Sequence, residues 1–517
     1  MAVGTQVTTR QFRWLIAGLM VGLFLSSTEQ SVVATALPTM AGELGGANRI
    51  AWVVSAYLLT STVVTPLYGK LSDLYGRRIV YQGAIAIFVG GSLLCGLAQT
   101  MNQLVAARAI QGAGGGGLMS LAFVILGDVV SPRERGRYIG VFTGVFAFSA
   151  ISGPLWGGLL VDTVGWRWVF LLIVPAGLVA LAVTNVGLRL PFVTRQRPID
   201  WLGALLLVGA STALILVPIW GGTTFPWGSL PLVLVAATGV VLTAVFLWQE
   251  TRAAEPILPL RLFGDRTISA VFGMGFGLMF AIIAVSTFMP FFLQVSRGAS
   301  ATASGLMLVP QTLGITIMAT LSGRLVSRSG RYKWTLVTGP AIAFVGLLLL
   351  SSIDAETSFV QLAPYLVLMG VGMGFIFPNL TLAVQNAAAM EDLGVATSTA
   401  NFFRNMGAAF GAAVVGAALN SQLDDALAER LPPGELADLG GAEGLIRSPD
   451  VVRDLPPDLH DIVVDAVQVA VTSVYRWVAP LVLILLVLAL LVRETPLRTT
   501  SSVGGASTAP SSPGDGA

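Results

Sequence analysis

The run Gly69-Lys70-Leu71-Ser72-Asp73-Leu74-Tyr75-Gly76-Arg77-Arg78 separates two long apolar stretches, and its frame returns as Gly323-Arg324-Leu325 with Gly330-Arg331. A tight reversal between two helices needs glycine at its ends, where a Cβ would be in the way. Asp73, set among Lys70, Arg77 and Arg78, makes a charge cluster whose pairs can form in one conformation and break in another. The second copy carries Ser327 in place of Asp73, so its charge switch is expected to be degenerate. A loop repeated at one spacing implies two parallel halves.

Apolar runs flank both loops and fill nearly the whole chain. Of 517 residues 55% are hydrophobic and 11% charged, against about a quarter charged in soluble domains. A bilayer core of about 30 Å needs roughly 20 helical residues. Segments of that kind occupy 14–37, 50–69, 79–99, 103–126, 138–160, 167–188, 200–220, 231–248, 268–293, 305–325, 334–352, 361–385, 396–419 and 472–492. The expectation is an all-α polytopic membrane protein with fourteen transmembrane helices. It divides into a cytoplasmic N-terminus (1–13), a six-helix half (14–188), a linker with two extra helices (189–266), a second six-helix half (267–493) and a disordered cytoplasmic tail (494–517). The second half includes an acidic segment, 421–471, expected outside the membrane as a solvated cap. Parallel repeats about an axis along the membrane normal place a substrate site between the halves, near the midplane.

Basic residues set the orientation. Lys70, Arg77, Arg78, Arg133, Arg135, Arg137, Arg324, Arg328, Arg331 and Lys333 all fall on one side, together with the charged termini. Both termini are therefore expected in the cytoplasm. One loop on that side, 386–395, breaks the pattern with Glu391 and Asp392 and no basic residue. Arg10 and Arg13 before Trp14–Leu25 resemble a signal peptide, but no small-residue cleavage site follows, so the segment is expected to be a retained span. Arginine almost replaces lysine, as in a GC-rich bacterial genome. The expected location is the inner (plasma) membrane, multi-pass. A net charge of +2 points to no nucleic-acid partner, and the lone Cys95 to no disulfide. The only histidine, His460, lies in the acidic segment, and Cys95 has no base near it. With no metal-ligand, nucleotide-binding or nucleophile–base pattern, the chain reads as a transporter and not an enzyme.

The 69–78 loop resembles the signature loop of the major facilitator superfamily. Leu104, Arg108, Gln111, Gly112 and Gly114 in the fourth span are similar to that family's second motif. Gly144 with Gly153-Pro154-Leu155-Trp156-Gly157-Gly158 in the fifth is similar to its antiporter motif, which is associated with exporters. Glu29-Gln30-Ser31-Val32-Val33-Ala34-Thr35-Ala36-Leu37-Pro38 resembles the first-span motif of the fourteen-helix drug:proton antiporter group, with glutamate where that group usually has aspartate. Trp166–Phe170 and Asn401-Phe402-Phe403-Arg404 also resemble that group. The resemblance covers nearly the whole chain. It implies alternating access, a proton gradient as energy source with no cofactor or metal, and export of drugs, antibiotics or dyes.

Acidic residues nearly vanish inside the spans, and Glu29 is the clear exception, about 22 Å along its helix from Trp14. An intramembrane ionisable group marks a pathway or proton relay. Arg108 sits at comparable depth and is expected to tune Glu29. Arg404 is a second buried cation, equally suited to satisfying backbone carbonyls at a helix break. Candidate cavity residues are Tyr57, Gln111, Gln294, Gln311, Asn379 and Arg404. With one dominant carboxylate, neutral, zwitterionic or monovalent cargo is expected over dications. The partners expected are a small molecule, protons and the lipid bilayer, the chain acting as a monomer. An exporter of one endogenous metabolite or lipid, or an importer, on the same scaffold stays open.

Overall fold

The computed structural model describes residues 8–44, 49–188, 200–222, 224–431, 445, 452 and 455–497. The first half comprises α1 (Thr9–Leu44), α2 (Ile50–Tyr75), α3 (Arg77–Gly96), α4 (Met101–Val129), α5 (Pro132–Thr163) and a broken sixth span, α6 (Arg167–Leu171) with α7 (Ile173–Gly187). An inserted pair follows, α8 (Trp201–Trp220) and α9 (Leu230–Arg252), then the short α10 (Arg261–Gly264). The second half comprises α11 (Arg266–Arg297), α12 (Ala301–Leu306) with α13 (Val309–Ser329), α14 (Lys333–Leu350), α15 (Phe359–Ala387), α16 (Leu393–Ala428) and α17 (Pro457–Leu491). Counting α6 with α7 and α12 with α13, thirteen helices among the described residues are long and apolar enough to cross a membrane. The 26-residue α2 is the remaining helix of spanning length.

Caps written into the sequence set several boundaries. Thr100 accepts from the Gln103 amide at the start of α4, and Asp265 from the Thr267 and Ile268 amides at the start of α11. Ser358 and Gln361 form a reciprocal capping box on α15. Gly298 and Gly330 end α11 and α13 in the left-handed conformation that glycine adopts without a steric penalty.

Two boundaries differ most from the apolar-run reading. Helix α16 continues to Ala428, and α17 begins at Pro457 instead of 472. Both flanks of the 421–471 segment are thus helical. The first turns of α17 carry Asp458, Asp461 and Asp465, which hid the span start. Val463, Val464, Val467, Ala470, Val471 and Val474 nevertheless form a buried stripe at helical spacing. Leu431, Leu445 and Val452 are also buried in the second half's core, so this part of the chain is anchored at points. Residues 432–444, 446–451 and 453–454 of that segment, the 189–199 stretch and the tail 498–517 lie outside the described residues.

Within the first half α4 packs on α2 and α3, and α1 on α5 and α7. Within the second, α15 packs on α13 and α14, and α11 on α16 and α17. Glycines allow these close crossings. Gly112 and Gly116 of α4 lie against Tyr57 and Ser61 of α2, and Gly370 and Gly374 of α15 lie against α13. The halves meet through α2 on α16 and α5 on α13, with α8 touching both α2 and α16. At the end carrying the 69–78 loop, called the basic end below, the seam is tight. Gly136 of α5 touches Gly323 of α13 backbone to backbone, and Gly69 leaves no space beside Ser398 and the Gly394 carbonyl.

Candidate functional site

Glu29 on α1 and Arg108 on α4 form an ion pair, each only 1% exposed. The guanidinium Nε also donates to the Val53 carbonyl at 2.9 Å, and Nη1 to Gln111 Oε1 at 2.7 Å. Gln111 Nε2 in turn donates to Ser92 Oγ of α3 at 2.7 Å. The Tyr57 ring covers the guanidinium at 4.5 Å and the Phe170 ring at 5.9 Å. Arg108 is thus held by a carboxylate, a carbonyl, an amide and two aromatic faces, which compensates the cost of burying its charge. Glu29 is held by one oxygen. Its Oε2 has no hydrogen-bond partner among the described residues. Such a carboxylate can take a proton on the free oxygen while the other stays against Arg108. The sequence-expected pair is therefore brought together, with Tyr57 and Gln111 around it.

At the basic end, Gly76 joins α2 to α3 at φ 95° and ψ 144°, a backbone conformation that favours glycine. Arg77 binds Asp73 at 2.5 Å and, through Nε, Asp128 of α4 at 2.6 Å, and also reaches Ser72. Arg78 donates to Asn185 of α7. The Asp73 carboxylate sits against the Cα of Gly394 in the first turn of α16, where unpaired amides carry partial positive charge. The loop therefore touches the other half. Its second-half counterpart makes the seam through Gly323 instead of through charge.

In the fifth span, a Cβ at Gly153 would strike Ser31 of α1. One at Gly157 would strike Thr35 Oγ1 and approach the Val32 carbonyl at 3.0 Å. Gly144 and Gly158 have open space, Gly144 lining a shallow apolar groove with Met20, Val21, Phe24 and Phe148. Close packing thus comes from two of the motif's four glycines. The Pro154 side chain lies outside the described residues.

A family model described as Major Facilitator Superfamily matches residues 19–412. The chain belongs to the major facilitator superfamily. It is 40% identical over 483 residues to an uncharacterized MFS-type transporter of Mycobacterium tuberculosis, covering 93% of this chain and 70% of that protein. It is 35% identical to the multidrug transporter protein MdtP of Bacillus subtilis, covering 86% and 85%. It is 30% identical to multidrug resistance protein 3 of the same organism, covering 95% and 97%. Among solved structures, the proton:xylose symporter XylE shares the fold at a TM-score of 0.61 and 13% identity, over 96% of this chain and 98% of that one. The chain is thus a membrane transporter of all-α superfamily fold.

The remaining candidates are dispersed in this superfamily frame. Gln294 Nε2 donates to Ser304 Oγ at 3.1 Å, linking α11 to α12. Gln311 is buried on α13, its carbonyl against Gly370. Asn379 Nδ2 donates to Ser322 Oγ and to the Phe375 carbonyl, tying α15 to α13. Arg404 is 4% exposed and donates to Asn401 Oδ1, with the Phe377 ring at 5.0 Å. It makes no backbone-carbonyl bond among the described residues. A cavity of about 710 Å³ lies instead between α2, α8 and α16, with Leu58, Ile219, Trp227 and Ala413 on its apolar wall and Asp424 and Asp425 also lining it.

Several pairings at the seam join residues whose partners the sequence does not show. Lys70 pairs with Glu255 of the linker at 2.8 Å, and linker residue Arg261 pairs with Asp392 at 2.8 Å. Glu250 accepts from the Ile257 and Leu258 amides, folding that linker back. Arg261 supplies the basic partner that the acidic 386–395 loop lacks in sequence, a signal readable only once the linker is placed beside it. Gln385 donates across the seam to the Phe123 carbonyl at 2.9 Å, and Ser120 bonds Ser398 at 2.9 Å.

Proposed function

We propose that this transporter is a proton-coupled antiporter that exports small lipophilic compounds across the cytoplasmic membrane by alternating access. The observation that carries this reading is the buried Glu29–Arg108 pair, with one carboxylate oxygen unpartnered, on the helix against which Gly153 and Gly157 pack. Protonation on Oε2 removes the charge that holds Arg108 and leaves the guanidinium its Val53 and Gln111 acceptors. Loss of one charge of a buried pair is a large local change, and α1 is laid directly on α5. The names of the MdtP and multidrug resistance protein 3 relatives support lipophilic drugs or dyes as cargo. In this reading both termini are cytoplasmic, the gradient alone is the energy source, and a monomer suffices.

The test is pH-jump transport in proteoliposomes with a panel of dyes and drugs, comparing wild type with Glu29→Gln. Wild type should export against a gradient only when protons flow the other way, and the variant should lose that dependence. Export that ignores the proton gradient in wild type would sink antiport. Proton-driven export retained by Glu29→Gln would remove Glu29 from the mechanism, and uptake in the direction of proton flow would mark an importer.

A further inference from the structure

Three arginines are deeply buried, and Arg108 and Arg404, the two inside the spans, are treated unequally by the chain. Arg108 has a full set of partners, whereas among the described residues Arg404 donates to Asn401 Oδ1 alone. Its Nη1 is buried without a hydrogen-bond partner among the described residues, and so is the neighbouring Asn401 Nδ2. The helices around it cannot supply a counter-charge. Gly275 of α11 makes room for the arginine stem, Phe123 of α4 lies at 5.8 Å and Phe377 of α15 at 5.0 Å. Helices α11 and α15 contain no Asp or Glu, α4 only Asp128 (paired with Arg77), and α16 only Asp424 and Asp425, roughly 30 Å further along the axis.

We propose that Arg404 and Asn401 form the receptor for the acidic group of a lipophilic monoanion, a carboxylate on an aromatic or alkyl body. Two donors from positions i and i+3 of one helix suit the paired oxygens of a carboxylate, and a guanidinium is the donor best matched to that geometry. The Phe123 and Phe377 rings give the apolar body a surface. The site also lies where cargo would load. Arg404 is roughly 16 Å along α16 from its start at the basic end. The Gly69–Gly394, Ser120–Ser398 and Gln385–Phe123 contacts close the seam at that end. Parting the halves there separates Phe123 from Arg404 and opens the guanidinium to the same side. The inference rests on the reading of this chain as an exporter of lipophilic compounds and names the charge of its cargo.

The test uses the full chain in detergent and fluorescence anisotropy of two probes with one body, pyrenebutyrate and pyrenebutanol, at about pH 7.5, where the acid is ionised. Wild type should bind the acid about tenfold more tightly than the alcohol, the difference one charge-assisted bond of modest strength makes. Arg404→Gln should abolish that preference, leaving acid and alcohol with equal affinities, and Arg404→Lys should keep part of it. Asn401→Asp, which keeps the arginine and gives it an internal counter-ion, should fold and also lose the preference. Equal affinities in wild type, no binding of either probe, or a preference that survives both Arg404→Gln and Asn401→Asp would overturn the proposal. An acid preference with transport indifferent to the proton gradient would leave this site standing and remove the coupling. Proton-driven export of neutral dyes without an acid preference would do the reverse.

Discussion

Removing the Glu29 carboxylate should expose how much the chain depends on pairing a charge inside the membrane. Both partners are 1% exposed, which puts the pair in the buried regime. Glu29→Ala leaves the Arg108 guanidinium with no counter-ion, and breaking a buried pair in this way costs about 3–5 kcal/mol. Glu29→Gln also leaves Arg108 without a counter-charge but keeps a neutral acceptor against it, and that retained bond of about 1 kcal/mol puts its cost below that of Glu29→Ala. Glu29→Gln with Arg108→Gln removes both charges. It should cost less than the sum of its single changes, with a coupling energy of about 2 kcal/mol. The assay is thermal and chemical unfolding of the purified protein in one detergent, followed by intrinsic fluorescence. A Glu29→Ala effect under about 1 kcal/mol, the range of exposed pairs, would refute the buried-pair reasoning. So would additivity of the two glutamine changes within about 0.5 kcal/mol.

Three further outcomes follow from contacts elsewhere. Gly157→Val should cost about 1–3 kcal/mol by overpacking against Thr35 and Val32, while Gly144→Val and Gly158→Val, which meet open space, should stay within about 0.5 kcal/mol on the same unfolding assay. Arg261→Glu, facing Glu391 and Asp392, should loosen the basic end and raise the rate at which a water-soluble maleimide labels Ser398→Cys; adding Asp392→Arg should bring the rate back. At the opposite end, the Trp166 indole N–H at 2.8 Å, and then Arg167 at 2.9 Å, hold the Glu43 carboxyl below its ordinary value of 4.5. A lowered folded value means a contribution that is complete above about pH 4.5 and lost as pH falls through the folded value. Trp166 fluorescence should therefore change only on acidification below that point, and Glu43→Gln should flatten the change.

Helices written as unbroken apolar runs were legible, because lipid demands both length and hydrophobicity from one continuous segment. The start of α17 was not, since Asp458, Asp461 and Asp465 interrupt the run while a buried valine stripe continues beneath them. For the site, Glu29 and Arg108 stood out because charge inside a span is rare, and equal depth on their helices was enough to pair them. Their acceptors, Val53 and Gln111, are a backbone carbonyl and an amide that carry no sequence signal of depth or facing. Arg404 was visible as a buried cation, but its lack of an acid is a property of four helices at once. The ion pairs of Lys70 with Glu255 and Arg261 with Asp392 join residues far apart in the chain, in loops where periodicity says nothing about neighbours.

The charge pairs fall into two physical classes, and the difference locates where coupling must run. Glu29, Arg108, Gln111, Ser92 and Val53 all belong to the first half, so parting the halves leaves that network intact. Only a change of charge can break it. Lys70–Glu255 and Arg261–Asp392 bridge loops at the basic end, and Arg261 is 63% exposed on its side chain, so opening and salt can break them at small cost. Among the described residues, a proton on Glu29 therefore has no ion pair through which to act on the second half. Packing and the neutral hydrogen bonds are the routes that remain, and α5, beside α2 and α4, is a helix that touches both sides. Gly153 and Gly157 rest on α1 beyond Glu29, while Gly136 and Gly140 rest on Gly323 and Thr320 of α13. A bulky residue at 157 tests that route directly. If export by Gly157→Val falls further than its loss of folded protein accounts for, α5 transmits the change. If export and folded protein fall together, the contact is structural and the proton acts by another path.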